Sequence, residues 1–168
     1  MKDFIEIERK FIIEMPNRDE LLSLDFAESS FITQIYLSAP DGITRRVRSR
    51  SYKTGTRYFE TVKRRIDIIS AYEDEREISE SEFTEKSKEI REGSTAISKE
   101  RITFPYKSHT VEIDIYPEWK STAIMEIELK SREEKLEIPG FIKIIKEVTG
   151  ERKYTNAAMS ESFPEEEK

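Results

Sequence analysis

Phe4-Ile5-Glu6-Ile7-Glu8-Arg9-Lys10-Phe11-Ile12-Ile13 decides the fold class. Glu6, Glu8, Lys10 and Ile12 fall in one phase; Ile5, Ile7, Phe11 and Ile13 fall in the other. A period of two is that of a β-strand, with one face charged and one apolar. The same alternation recurs downstream. Residues 31–38 and 43–50 flank Ala39-Pro40-Asp41-Gly42, a turn sequence that predicts a hairpin. Ser51-Tyr52-Lys53-Thr54-Gly55 predicts a second turn into residues 57–65, followed by strands over 68–78, 96–105, 110–116 and 122–131. The total is eight strands.

Helices are predicted at three places. Asn17 followed by Glu20 has capping-box spacing ahead of Leu21, Leu22 and Leu24, and Ser79 precedes Glu82 in the same way at the start of a charged, peripheral segment ending near Gly93. Pro139, then Phe141, Ile144, Ile145 and Val148 at helical spacing, then Gly150, predicts a helix covering a sheet. Residues 27–30 read as a loop, and residues 157–168, ending in Pro164-Glu165-Glu166-Glu167-Lys168, as a frayed tail beyond a single domain over 1–156.

The charged faces carry the chemistry. They present Gln34 and Tyr36; Arg46, Arg48 and Arg50; Thr61 and Lys63; Glu73, Glu75 and Glu77; Lys99 and Arg101; Glu112 and Asp114; and Glu126 and Glu128. An ordinary wet sheet face also carries Glu, Lys and Arg, so pattern alone leaves both readings open. The like-charged pairs Glu6/Glu8, Glu112/Asp114 and Glu126/Glu128 stand about 7 Å apart along their strands, repulsive unless a cation intervenes. With no cysteine and His109 as the single histidine, a metal must be held by oxygen, which points to Mg²⁺ or Mn²⁺. The opposing lysines and arginines then suit a polyphosphate, which bridges metal and accepts forked hydrogen bonds from arginine.

A net charge of −6 gives no bulk attraction to nucleic acid, and no apolar run is long enough for a membrane helix or signal peptide. The expectation is a cytoplasmic protein without nucleic-acid or membrane partners. His109 reads as an exposed turn residue, and Trp119 as a cover over one barrel end.

From about Phe4 to Asn156 the chain resembles the CYTH superfamily, the triphosphate tunnel metalloenzymes. The resemblance is carried by Glu6-Ile7-Glu8-Arg9-Lys10, Gln34-Ile35-Tyr36-Leu37, Arg46-Val47-Arg48, Thr61-Val62-Lys63, Glu75-Arg76-Glu77, Lys99-Glu100-Arg101, Glu112-Ile113-Asp114, Glu126-Ile127-Glu128 and Tyr154-Thr155-Asn156, in family order. It implies an α+β, mainly antiparallel β fold: an eight-stranded tunnel barrel with a charged interior and peripheral helices, acting on a triphosphate with divalent metal. By motif position Glu6, Glu8, Glu126 and Glu128, with Glu112 and Asp114, look like metal ligands. Lys10, Arg46, Arg48, Lys63, Lys99, Arg101 and Lys153 look like the phosphate-binding set, and Lys10 and Tyr36 like the catalytic dyad.

The resemblance favours hydrolysis of inorganic tripolyphosphate, then thiamine triphosphate, and allows a homodimer. A class IV-like adenylyl cyclase and a non-catalytic polyphosphate-binding module are the alternatives. Asp3-Phe4-Ile5 lacks the histidine-containing opening of the cyclases, and Glu73 stands where related chains often have arginine.

Overall fold

Strand β1 (Lys2–Glu14) is the strand about which the sheet closes. The computed structural model describes residues 2–167. After β1 come α1 (Arg18–Leu22), β2 (Glu28–Leu37), β3 (Ile43–Tyr52), β4 (Gly55–Arg65), β5 (Ser70–Ile78), α2 (Glu80–Ser87), β6 (Ile97–Tyr106), β7 (His109–Ile115), β8 (Thr122–Glu128), β9 (Ile144–Glu147) and α3 (Asn156–Glu161). A single 3₁₀ turn, Arg152–Tyr154, precedes α3. The sheet order is β5-β4-β3-β2-β6-β7-β8-β1-β9, and β1 also pairs with β5, so β1–β8 form a closed antiparallel barrel.

β1 does this by changing partners. One edge pairs with β5 from Lys2↔Glu75 to Ile7↔Ser70, and the other with β8 from Glu8↔Glu128 to Glu14↔Thr122. Beyond Ile7 the edge that faced β5 would carry unpaired backbone groups. β9 takes them up at Phe11↔Glu147, Ile12↔Lys146 and Ile13↔Ile144, and the Val148 amide donates to the Lys10 carbonyl at 2.9 Å. The helix predicted from Pro139 does not form: Ile144–Glu147 are strand and the residues around them turn and loop, because an open edge outweighs a weak helical periodicity.

The outer, apolar faces are covered as the two-faced strands require. Phe11, Ile13, Ile102, Phe104, Val111, Ile113, Met125 and Ile127 pack under Leu21, Leu22, Leu136, Ile138 and Ile142. Leu37, Val47 and Ile78 pack under Phe83 of α2. Asn17 and Ser79 cap α1 and α2 through the Glu20 and Glu82 amides, as their spacing predicts. Residues 28–30, expected as loop, extend β2, because that stretch pairs with Ser29↔Ile102 and Ser30↔Arg101 on β6.

One end of the barrel is plugged. Ile12, Ile97, Tyr116 and Ile124 share the inward phase of their strands and meet Trp119, Val148, Tyr154 and Met159, with Phe163 packed alongside. The Trp119 indole donates to the Pro164 carbonyl at 3.0 Å, and Glu166 accepts from the amides of Ser121 and Thr122. The tail expected to fray is thus folded onto the barrel: it brings the aromatic and methionine side chains that dry the plugged end.

His109 also departs from expectation. Its side chain is buried under the loop after β8, with Nε2 accepting from the Glu137 amide at 2.9 Å and Nδ1 3.0 Å from Glu134 Oε1.

Candidate active site

The charged phases of the eight barrel strands point inward, and they line a cavity of about 800 Å³. Register places the acidic rungs side by side: Glu8 opposite Glu128, Lys10 opposite Glu126, and Glu126 opposite Glu112. On the other wall Tyr36 stands opposite Arg46, Arg46 opposite Thr61, and Thr61 opposite Glu75. Of the residues expected from the sequence, Glu6, Glu8, Glu112, Glu126, Glu128, Lys10, Tyr36, Arg46, Arg48, Lys63 and Arg101 all line this cavity.

Three do not. Asp114 and Lys99 lie beneath the lining, with side chains 1% exposed. Asp114 is filled by three donors: Lys99 Nζ at 2.7 Å and Arg101 at 2.7 and 2.9 Å. A carboxylate so occupied aims Arg101 rather than offering oxygen to a metal. Lys153 points away from the cavity, over the Tyr154 ring and 3.9 Å from Glu167, and it is Arg152 beside it that lines the cavity. The 3₁₀ turn decides between these neighbours, which the sequence could not. Arg50, Arg65, Arg91, Glu73 and Glu75 are further lining residues outside the expected site set. Arg91 follows α2 and reaches the mouth by donating to the Ala157 carbonyl at 3.1 Å and pairing with Glu161 at 2.9 Å.

The electrostatics are those of two crowded walls. On the acidic side, burial together with Glu126 and Glu6 pushes the Glu8 carboxyl well above the usual range. Burial and the Glu112 carboxylate push Glu128 up to about 8. Burial opposes ionisation of Glu126, yet Lys10, 3.3 Å away, and Arg101 hold it down to about 2. Glu6 and Glu73 share a hydrogen bond beside Lys63: burial and Glu6 push Glu73 up to about 7, while Glu6 stays low against its own burial.

On the basic side, burial and the neighbouring Arg46 lower Arg48 to about 10, although Glu75 lies 3.2 Å away. The Nε atoms of Arg46 and Arg48 are buried without a partner. Buried donors left unmade are costly, so this wall is built to receive an anion.

The acidic wall fits an oxygen-bound divalent cation. Glu8 Oε2 is buried and unpartnered, Glu126 and Glu6 oppose the ionisation of Glu8, and Glu112, Glu6 and Glu126 oppose that of Glu128. Among the described residues no three carboxylates already enclose an ion-sized site, because Lys10 and Lys63 occupy Glu126 and Glu6.

These shifts set a pH dependence. Glu73 and Glu128 have folded values raised above the ordinary glutamate value, so their contribution to stability is present below that value and is lost as pH rises through about 7 and 8. Glu126, Glu6 and Asp114 are depressed, so theirs is lost only as pH falls below the ordinary range. Thermal melts of metal-free protein should therefore peak near the ordinary glutamate value, about pH 4–5, and decline as pH rises toward 9, and millimolar Mg²⁺ or Mn²⁺ should remove most of that decline. A metal-free melting temperature that rises from pH 6 to 9 would contradict this account of the carboxylates.

No family model and no curated protein matches the sequence. Solved structures do. The inorganic triphosphatase NE1496 is 25% identical to this chain with a TM-score of 0.60, covering 95% of this chain and 97% of that one. This likeness is consistent with the CYTH superfamily that the sequence motifs resemble. PH1819 of Pyrococcus horikoshii, 21% identical over 77% of this chain and 80% of its own, shares the fold with a TM-score of 0.58. So does a putative adenylate cyclase of Bacillus halodurans, 17% identical over 79% and 84%, with a TM-score of 0.54. The eight-stranded barrel is thus the fold these proteins share, and β9 is an extra strand paired with β1. Among the described residues no helix is long and apolar enough to cross a membrane.

Proposed function

We propose that this protein is a metal-dependent triphosphatase with inorganic tripolyphosphate as its preferred substrate and thiamine triphosphate next. The observation that carries the proposal is the facing, across one cavity, of a basic wall on which Arg46 and Arg48 keep buried donors without partners and an acidic wall on which neighbouring carboxylates push Glu8 and Glu128 up. A triphosphate with its metal neutralises both at once. NE1496, similar over nearly its whole length, is named an inorganic triphosphatase.

A divalent cation held by Glu6, Glu8, Glu126 and Glu128, with Glu112 beside them, would supply charge neutralisation on the phosphate oxygens. The rest is done by the chain. Arg46, Arg48, Lys63 and Arg101 hold the phosphates and stabilise charge that spreads over the transferred and leaving groups. Water attacks the terminal phosphorus in line, the bridging P–O bond breaks, and tripolyphosphate yields orthophosphate and pyrophosphate. Lys10 is held by Glu126 and by the Tyr154 carbonyl at 3.2 Å; burial disfavours its charge, but Glu126 and Glu8 raise its pKa, so it stays an ammonium. Its part is to donate and orient. Tyr36, across the cavity, is the second orienting group.

The test compares tripolyphosphate, thiamine triphosphate and ATP with Mg²⁺ or Mn²⁺. Orthophosphate should be released fastest from tripolyphosphate. Cyclic AMP with pyrophosphate from ATP would establish the cyclase instead. No turnover of any of the three with either metal would leave only the binding module.

A further inference from the structure

Gln34 is fully buried in the barrel interior, two residues before Tyr36 on the same face of β2. Its Nε2 donates to the Tyr36 hydroxyl at 3.0 Å, while its Oε1 has no partner. Opposite these two residues on β3 stand Arg48 and Arg46. Both are obligate donors, so the amide oxygen belongs on their side and the amide nitrogen on the phenol's. The phenol oxygen thus accepts from the amide, and the guanidinium of Arg46 stands opposite it in the ladder. The proton of the hydroxyl is turned away from the amide donor by that bond, and the open side is the cavity.

We propose that Gln34 is a positioning residue: by donating to the Tyr36 oxygen it turns the tyrosine O–H into the tunnel as a donor to phosphate or to the attacking water. This deepens the triphosphatase reading and rests on it. Burying an amide whose oxygen goes unpaired costs stability, and an apolar side chain of the same length would fill the space at less cost. Gln34 is therefore spent on direction. The same geometry gives Tyr36 a definite part, that of a donor and not of a base.

Three variants test the proposal: Gln34→Met, which keeps the volume and removes the donor; Gln34→Glu, which replaces the donor by an acceptor; and Tyr36→Phe. Gln34→Met should lower kcat for tripolyphosphate roughly 10–100-fold, with KM changed less than about twofold, because only the aim of a reacting group is lost. Gln34→Glu should be worse than Gln34→Met, since a carboxylate there accepts the tyrosine proton and turns it from the cavity. In the Tyr36→Phe background Gln34→Met should cost nothing more.

Equal losses with and without the tyrosine hydroxyl would overturn the proposal, as would a Gln34→Glu variant more active than Gln34→Met. A wild-type chain that releases no phosphate defeats the triphosphatase reading separately. The contact is then still read by carbon NMR of ring-labelled tyrosine. The Tyr36 signal, assigned by its loss in Tyr36→Phe, must shift in Gln34→Glu and Gln34→Met, and an unmoved signal overturns the proposal.

Discussion

Glu8→Gln is expected to abolish metal-dependent phosphate release, by roughly 10²–10³-fold or more, while making the metal-free protein more stable at alkaline pH. The first effect follows, on the proposed function, from removing one of the oxygens proposed to hold the metal, and its charge, from the acidic wall. The second follows from what Glu8 experiences without metal. It is buried, one of its oxygens has no hydrogen-bond partner, and Glu126 and Glu6 both oppose its ionisation. A neutral amide relieves that repulsion. At pH 9 the melting temperature should rise by about 2–4 °C, the shift that ~1 kcal/mol makes in a domain of this size. Below the ordinary glutamate value, where the wild-type carboxyl is protonated folded and unfolded alike, the gain should vanish. Saturating Mg²⁺ should reverse the order, stabilising wild type over the variant. A variant that is less stable than wild type at pH 9 without metal would show that Glu8 serves the fold and not the ion.

Asp114→Ala is expected to be the most destabilising single change in the barrel interior. Asp114 neutralises two buried cations, Lys99 and Arg101, through three short hydrogen bonds, and its own burial is outweighed by them, which holds its carboxyl well below the usual range. Removing it leaves Lys99, 1% exposed, with no carboxylate within ion-pair distance. Breaking a buried pair from one side costs about 3–5 kcal/mol, readable as a lower denaturation midpoint in urea at unchanged slope. Adding Lys99→Met to Asp114→Ala should restore a good part of this by taking away the stranded charge. Were Asp114 instead a metal ligand, as its motif position implies, the loss would appear mainly in metal affinity and the Lys99 change would rescue nothing.

These two carboxylates show what the sequence could and could not reveal. Both sit in an acid-x-acid pair on the charged phase of a strand, so period two places both inside the barrel correctly. What separates them is the neighbour across the sheet: Glu8 faces Glu128, a like charge, whereas Asp114 faces Arg101, a partner. Register between strands far apart in the chain settles that, and a single strand's pattern is silent on it. The same limit explains Lys153 and Arg152, where one turn of 3₁₀ helix decides which cation reaches the cavity. It explains residues 144–147 too, whose spacing suits a helix until the unpaired edge of β1 is known. The hairpins, the caps at Asn17 and Ser79 and the inward charged phase were legible because each is encoded within a few consecutive residues. Gln34 was legible as a member of the charged face but not as a positioning group, since the cations that face it and Tyr36 across the ladder are set by register with β3.

The partner changes of β1 have a bearing on how the chain is made. β1 is made before its neighbours and meets them only when residues 70–75, 122–128 and 144–147 have followed, so most of its ladder waits for the rest of the barrel. Such distant pairing slows folding and leaves a bare edge open to other nascent chains. Charges set on the concave side of an unpaired strand are a known defence against sticking, since no stray partner can bury them cheaply. Glu6, Glu8 and Lys10 would guard the newborn strand in this way before they ever meet a phosphate.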